Sequence, residues 1–296
     1  MSSLGKAGRP LAVVLVALVS CSSVSGEGAI ATGVTEPAAT EEEPDAPASV
    51  CLDLGADAVE FGEVSDDDWR EWTGISIDFA SDEQHLEVQQ SSDGASLRQQ
   101  FVPSSEGSDR VVVRGDLRPA RTYTMSQEVF LEPDFDWGRE RQTGKLGFGL
   151  GGGTAPSGGD LDPAGYTARF VWRGNGDGTA RAAVYSYAAD RTQNLPFGDD
   201  YTLADFSIPI GRWFTLEMEV TANTEVGLAD GRIRAWADGQ LALERDGILW
   251  QDAGGQPIVD HFIYSTFHGG NGWEYAPEAT SHARFRNVCW SAITAE

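Results

Sequence analysis

The strongest constraint on the fold is a series of short runs in which apolar and polar residues alternate, beginning near residue 95. RWFTLEMEVTAN, residues 212–223, is a clear example. A period of two residues with one apolar face predicts a half-buried β-strand. Its apolar face is formed by Phe214, Leu216, Met218 and Val220, and its polar face by Thr215, Glu217 and Glu219.

Further runs of five to ten residues are bounded by Gly, Asp, Asn and Pro, and no long stretch keeps a helical period. GRIRAWADGQLALERDG, residues 231–247, predicts two strands joined at Asp238-Gly239, a dipeptide typical of tight turns. VDHFIYSTF and HARFRNVCW, residues 259–267 and 282–290, predict two more strands. Many short strands without an internal repeat predict an all-β fold, an antiparallel β-sandwich of the jelly-roll type.

The beginning of the chain has the layout of an export signal, with two cations, an apolar run at residues 11–19 and small residues before Cys21. The run is too short to span a membrane as a helix. LVSC, residues 18–21, resembles a lipobox, the bacterial motif whose cysteine becomes the lipidated first residue. We therefore predict a lipoprotein-type signal peptide at residues 1–20, lipidation of Cys21, and an exported protein held on the extracytoplasmic side of a bacterial membrane. An ordinary cleaved signal with an incidental cysteine is the alternative.

Residues 21–50 are rich in Ala, Thr, Pro and Glu and lack apolar periodicity. This composition predicts a flexible acidic tether ahead of a folded domain at residues 51–296. Cys51 and Cys289 lie near the two ends of that domain. Because an exported compartment permits disulfides, we predict that these two cysteines are joined, with two buried thiols as the alternative.

The formal net charge of the chain is −25. Setting aside Lys6 and Arg9 of the signal and the six acids of the tether leaves −21 on the domain. We therefore expect no nucleic acid as a partner, and the charge of the domain opposes any polyanion at long range. The sequence has no evident phosphate-binding glycine loop, nucleophile elbow or metal-ligand cluster. We expect no cofactor, no metal and a monomeric domain.

TARFVWRGNGDGTARAAVYSYAAD, residues 167–190, predicts two strands joined by a turn. If the loop is residues 174–180, Arg169 pairs with Tyr185 and Thr167 pairs with Tyr187. A register slip of one residue would send the tyrosines to the core face. In the stated register Ala168, Phe170 and Trp172 face the core, and the other face collects Thr167, Arg169, Arg173, Arg181, Tyr185 and Tyr187.

GKLGFGLGGG, residues 144–153, predicts a strand with one packed face and one nearly bare face. Glycine within a strand often marks the close approach of a ligand or of another backbone. We expect Gly147 and Gly149 to leave room for a ligand beside Lys145. The packed face is formed by Leu146, Phe148 and Leu150, and the bare face by Lys145, Gly147 and Gly149.

These segments, followed by GRWFTLEMEVTAN, GRIRAWADG and STFHGGN, occur in the order found in polysaccharide lyase family 14, which the chain resembles over roughly residues 120–290. Enzymes of that family are β-sandwiches that cleave alginate or related polyuronates by β-elimination. Their cleft is lined by a lysine, a Ser-x-Arg strand and a Tyr-x-Tyr strand. The resemblance implies that Lys145, Arg169, Tyr185 and Tyr187 are catalytic, with Thr167 in the serine position as a substrate-binding residue.

β-Elimination explains why these residue types would meet. Removing the proton α to a uronate carboxylate builds negative charge on that carboxylate, so the site needs fixed cations and a base. Arg169 offers a planar fork for a carboxylate. Lys145 either holds the developing charge or serves as the base, and Tyr187 and Tyr185 are base and acid in either order. We expect the neighbouring cations to lower the pKa of these tyrosines.

Two further residues are candidates for substrate binding. Arg173 lies on the same predicted strand face as Arg169, and His268 lies in TFHGG. Thr167 keeps a hydroxyl at the serine position but adds a methyl group. We expect that methyl group to affect which sugar is preferred more than it affects the β-elimination reaction.

A non-catalytic carbohydrate-binding β-sandwich is the main alternative function, because tryptophans could stack on sugars without any acid or base. A glycoside hydrolase of the sandwich type is a third hypothesis, but it needs two positioned carboxylates. No Glu-x-Asp-x-x-Glu strand is present to supply them. The tryptophans considered for sugar stacking are Trp137, Trp172, Trp250 and Trp273.

Overall fold

The computed structural model describes residues 49–81, 83–159, 161–192 and 197–293. Within these residues the chain forms seventeen strands, one α-helix, α1 (Asp66–Thr73), and two 3-10 helices, Glu83–His85 and Trp273–Tyr275. The strands are β1 (Ser49–Cys51), β2 (Ile77–Ser81), β3 (Leu86–Ser91), β4 (Gly94–Phe101), β5 (Pro103–Ser104), β6 (Gly107–Ser108), β7 (Val111–Ala120), β8 (Thr122–Leu131), β9 (Thr143–Gly153), β10 (Gly165–Gly174), β11 (Ala180–Tyr187), β12 (Asp199–Ser207), β13 (Trp213–Thr221), β14 (Gly231–Ala237), β15 (Gln240–Ile248), β16 (Val259–His268) and β17 (Ser281–Ile293).

The long strands form two antiparallel sheets. Sheet A has the order β15-β14-β13-β8-β17-β4-β3, and β1 pairs with β17 beside this path. Sheet B has the order β12-β11-β10-β9-β16-β7-β2, and β5 and β6 form a separate ribbon. Trp290 of sheet A contacts Phe148 and Phe262 of sheet B, with ring centroids 5.4 and 4.9 Å apart. The predicted antiparallel β-sandwich of jelly-roll type is confirmed.

Alternation along the strands places the core as predicted. In β13 the four apolar side chains of the predicted face are buried, and the intervening polar ones are half-exposed. The turn between β14 and β15 lies at Asp238 and Gly239, whose φ angles are 46° and 74°. Two consecutive residues with positive φ suit the twist of a tight hairpin. The strands predicted near residues 259 and 282 are β16 and β17.

Helix α1 lies outside the elements predicted from the sequence, because eight residues give too few turns for a helical period to stand out. The side chain of Ser65 accepts a hydrogen bond from the Asp68 N–H, and the Asp68 carboxylate accepts one from the Ser65 N–H at 2.8 Å. This reciprocal pair is a capping box. The helix ends at Gly74, which has a left-handed backbone, and it buries Trp69 and Trp72.

The predicted disulfide is confirmed. Strand β1 pairs with β17 so that Cys51 lies directly opposite Cys289, with the two Cα atoms 4.0 Å apart, and the sulfurs are bonded. The bond joins residues separated by 238 positions. It therefore links the first strand of the sandwich to the last.

Replacing Cys51 and Cys289 with serine is expected to lower the free energy of unfolding by about 2 to 5 kcal/mol, because the unfolded chain gains a very long open loop. Urea unfolding of the double variant and of the wild type, each with and without reductant, measures the effect. Reductant should reproduce the loss in the wild type and leave the variant unchanged. Equal stability of oxidised and reduced wild type would contradict the prediction.

The predicted signal peptide at residues 1–20, the lipidation site Cys21 and the tether up to residue 48 lie outside the described residues. Among the residues that the structure describes, no helix is long and apolar enough to cross a bilayer.

Candidate functional site

Strands β10 and β11 pair in the predicted register. Arg169 lies opposite Tyr185 and Thr167 lies opposite Tyr187. On the face turned away from sheet A, the two tyrosines form a small apolar cluster with Val171 and Ala183, separate from the main core. We call this face of sheet B the cleft face.

Lys145 on β9 joins these residues because of a bulge. Lys145 pairs with Val171 and Gly149 pairs with Arg169, so three residues of β9 lie opposite one residue of β10. The expectation that Gly147 lies beside Lys145 on the cleft face is wrong. Gly147 has a φ of +83°, and a Cβ built there would lie 2.2 Å from Oε1 of Gln127 in the core.

Gly149 does lie on the cleft face, but the space beside it is filled. A Cβ at Gly149 would lie 3.0 Å from Cγ of Arg169. The absent side chain therefore lets Arg169 lie close against β9, and Gly149 does not leave open room for a ligand as expected.

Lys145 is only 8 % exposed, and its Nζ lies 3.6 Å from the ring centroid of Tyr185. None of the ion pairs within the described ranges involves Lys145. Burial lowers the pKa of its ammonium well below the ordinary value, and the nearby charges of Arg169 and Arg173 lower that pKa further. A buried lysine of this kind is able to lose its proton and act as a base.

Arg169 is 1 % exposed and also has no carboxylate partner among the described residues. Its Nη1 donates to Oγ of Ser157 at 3.0 Å, while Nε and Nη2 are buried without a hydrogen-bond partner. Its guanidinium carbon lies 5.3 Å from the ring centroid of Tyr187. Burial lowers the pKa of Arg169, yet a guanidinium stays charged in proteins. A buried guanidinium with two donors left unpaired has the chemistry to bind an anion.

Tyr185 and Tyr187 meet edge to face, with their ring centroids 5.3 Å apart. The Tyr187 hydroxyl donates to the Tyr185 oxygen at 3.5 Å, and the Gly198 N–H donates to the same oxygen at 2.7 Å. Contrary to the sequence-based expectation, the pKa of Tyr185 is raised, because burial outweighs the neighbouring cation Arg173. Tyr185 therefore carries its proton at neutral pH.

Two further groups at this site were not found from the sequence. The Asp200 carboxylate binds Arg173 through two hydrogen bonds of 2.7 and 2.9 Å, and Arg173 lies 5.1 Å from the Tyr185 ring centroid. Arg191 lies 5.0 Å from the Tyr187 ring centroid. Arg191 follows the YSYAAD segment directly, which was the one available signal. Arg173 is thus on the cleft face as predicted, but its guanidinium is already paired.

The family profile of Polysaccharide lyase 14 matches residues 81–288 of this chain. The chain belongs to polysaccharide lyase family 14. No curated protein sequence matches it.

Solved structures of low sequence identity support the fold. Alginate lyase Aly36B, solved as a mutant with an alginate trisaccharide, is 23 % identical, covers 84 % of this chain and 99 % of its own, and has a TM-score of 0.71. An alginate lyase of family 14 from Aplysia kurodai is 18 % identical, with 80 % and 98 % covered and a TM-score of 0.63. Alginate lyase vAL-1 from Chlorella virus is 20 % identical, with 74 % and 93 % covered and a TM-score of 0.59.

Two of the predicted substrate-binding residues of this family 14 lyase have other roles in the structure. Thr167 is buried, and its hydroxyl donates to the Pro156 carbonyl at 3.0 Å. His268 faces the core, where its ring stacks on Phe135, and its Nε2 lies 2.6 Å from the Asp136 carbonyl oxygen. Burial lowers the pKa of His268 to about 4. The prediction for His268 is wrong because the alternation of β16 turns it inward with Tyr264 and Thr266.

The tryptophans proposed for sugar stacking are mostly in the core. Trp137, Trp172 and Trp250 are buried, whereas Trp273 is 53 % exposed. Trp273 borders a surface cavity of about 850 Å³ whose lining contains none of the residues predicted for the site. The cavity is lined by Asp136, Gly138, Arg139, Glu140, Arg141, Gln142, Trp273, Glu274 and Glu278.

Two groups of side chains in the described ranges have the composition of a metal site. Each contains an acid that an arginine already neutralises. Asp78 is bound by Arg114 at 2.7 Å, and Glu132 is bound by Arg98 at 2.7 Å. The groups are Asp78, Asp116 and His261, and Glu132, Asp134 and His282.

Proposed function

We propose that this family 14 lyase cleaves a polyuronate, alginate or glucuronan, by β-elimination on the cleft face of sheet B. The observation that carries the proposal is Arg169, a buried guanidinium with two unused donors beside Lys145. A uronate carboxylate would satisfy both donors. The alginate lyases of similar fold support this substrate class. Because the domain as a whole is acidic, these cations provide the local attraction that a polyanion needs.

Lys145 is the proposed base. Its neutral amine takes the proton from the carbon next to the uronate carboxylate, and the electron pair spreads into that carboxylate. The electrons then form a carbon–carbon double bond as the glycosidic C–O bond breaks. Arg169 holds the carboxylate and stabilises the charge that grows there. The products are an unsaturated uronate and a new reducing end.

Tyr185 is the proposed acid. Its oxygen accepts hydrogen bonds from Gly198 and Tyr187, so its own proton remains available for the leaving oxygen. Burial keeps that proton in place at neutral pH, because it raises the pKa of Tyr185. Tyr187 is proposed to orient Tyr185 and to fix Arg169 through its ring.

Wild-type protein incubated with polymannuronate, polyguluronate or glucuronan is expected to generate the ultraviolet absorbance of an unsaturated uronate. Tyr185→Phe should lower kcat roughly 10²-fold with little change in KM, because only a proton donor is removed. Tyr187→Phe should also keep binding and lose turnover, by a smaller factor. Tyr201→Phe, a core tyrosine of β12, is the control and should stay active. Full activity of both cleft variants would overturn the proposed roles, and binding of polyuronates without unsaturated products would overturn the reaction.

We also propose that the enzyme acts outside the cell while anchored through lipidated Cys21. The support is the cationic start, apolar run and LVSC segment at residues 1–21. Cys21→Ser is expected to move the protein from the membrane fraction to the soluble fraction of a bacterial host. Labelled fatty acid should enter the wild type only, and its failure to do so would contradict the anchor.

A further inference from the structure

The bulge in β9 decides how far Lys145 lies from the other catalytic residues. If the ladder continued regularly from the Arg169–Gly149 pair, Lys145 would pair with Arg173. In the structure it pairs with Val171 instead. Two residues along a strand correspond to about 7 Å. The bulge therefore brings Lys145 closer to Arg169 and Tyr185 by that distance.

A bulge leaves backbone groups without partners in the neighbouring strand. Here a side chain from the opposite sheet binds them. Gln127 of β8 donates from Nε2 to the Leu146 carbonyl at 3.2 Å, and its Oε1 accepts from the Phe148 N–H at 3.0 Å. The two bonds lie on either side of Gly147, whose missing side chain makes room for the amide.

Gln127 is fully buried between the sheets and faces away from the cleft. It has no route to the substrate. Buried amides that bind backbone fix a local conformation, because breaking those bonds leaves unsatisfied polar groups in the core. We propose that Gln127 is a positioning residue, which holds the β9 bulge and thereby places Lys145 beside Arg169 and Tyr185. The consequence for catalysis rests on the proposed role of Lys145 as base.

Gln127→Met keeps the volume and removes both hydrogen bonds. It is expected to lower kcat about 10- to 100-fold, since a misplaced base loses its reactive geometry, while KM changes less than threefold. Gln99→Met is the matched control. Gln99 is also a buried glutamine of sheet A, and its Oε1 accepts hydrogen bonds from two side chains of sheet B, the Thr266 hydroxyl at 2.7 Å and the Tyr264 hydroxyl at 3.4 Å. The Gln99→Met variant should lower the melting temperature about as much as Gln127→Met does, and it should leave kcat unchanged.

A second measurement does not depend on turnover. Lys6 and Lys145 are the only lysines of the sequence. ¹³C-labelled lysine therefore gives a Lys145 signal, with a second signal only where residues 1–20 are retained, and Lys145→Arg identifies the Lys145 signal. The Lys145 signal should titrate below 10.5 in the wild type and in Gln99→Met. In Gln127→Met it should titrate at higher pH, because the amine moves away from Arg169 and toward solvent.

The two measurements separate the possible failures. If the wild type is inactive on polyuronates but the lysine titration moves only in Gln127→Met, positioning stands and the proposed function fails. If the wild type is active and Gln127→Met keeps both its kcat and its lysine titration, positioning is overturned. If Gln127→Met does not fold, Gln127→Glu retains the volume and the bond from Phe148. Gln127→Glu should lower kcat and raise the pH of the Lys145 titration, both by less than Gln127→Met. If it changed neither, the proposal that Gln127 positions Lys145 would also be overturned.

Discussion

Lys145→Met is expected to lower kcat by about 10³- to 10⁴-fold and at the same time to make the protein more stable. The loss of turnover follows from removing the proposed base. The gain in stability follows from burial, because the folded protein holds this amine with a pKa well below its ordinary value of 10.5. This lowered pKa costs the native state stability at neutral pH, because the unfolded chain binds the proton more tightly.

The pH dependence of this gain has a definite sign. Between the lowered folded pKa of Lys145 and 10.5, the unfolded chain binds more protons than the native protein. The stability of the wild type therefore rises with pH across that interval. The advantage of Lys145→Met is greatest below the interval and falls as pH increases toward 10.5.

Urea unfolding at pH 7 and pH 10 measures the difference. Arg181→Met is the control, because Arg181 is an exposed cation of the same hairpin. The control should keep the stability of the wild type. If Lys145→Met were less stable than the wild type at pH 7, the prediction would be contradicted, because the charged Lys145 side chain would then stabilise the native protein. In the wild type, kcat/KM should also fall as pH decreases through the lowered pKa of Lys145.

Arg169→Met is expected to lower kcat/KM by about 10³-fold or more, because the developing charge on the uronate loses its buried partner. Arg169→Lys should recover only part of this loss. The lysine restores the positive charge but lacks the planar guanidinium that binds a carboxylate through two hydrogen bonds. The steady-state rate of double-bond formation measures both variants.

A modified substrate tests the contact itself. Methyl esterification removes the negative charge of the uronate, so the wild type and Arg169→Met should differ far less on the ester than on the free acid. An undiminished difference on the ester would assign Arg169 a role other than carboxylate binding. Arg212→Met, at an exposed cation directly before β13 of sheet A, serves as the unaffected control on both substrates.

The hairpin of β10 and β11 could be predicted from the sequence, because the pattern that specifies it lies within the hairpin itself. A period of two residues, a glycine-rich turn and one apolar face leave a single register for Arg169 and Tyr185, and the structure has that register. His268 extends by one residue the strand predicted at residues 259–267, and its face could not be assigned. Its neighbours in sequence do not reveal which side of β16 meets the core.

The bulge at Gly147 could not be predicted for a different reason. The sequence pattern is the same whether a glycine at an alternating position has the extended backbone of a strand or, like Gly147, a positive φ. Gln127, which binds the bulge, comes from the other sheet, and Asp200 and Gly198 come from beyond the hairpin. Contacts of this kind depend on the packing of distant segments. The pKa of Tyr185 depends on burial, which the residue types alone do not give.

The pairing of β1 with β17 places the N-terminal end of the described domain in sheet A. The first described residue, Ser49, belongs to sheet A, whereas the groups proposed as catalytic lie on the outward face of sheet B. An attachment made through the residues before Ser49 thus pulls on the sheet that carries none of those groups. With Cys51 bonded to Cys289, a pulling force passes directly into the last strand. The enzyme should accordingly tolerate immobilisation on a solid support by its N-terminal end, because the cleft face belongs to the other sheet.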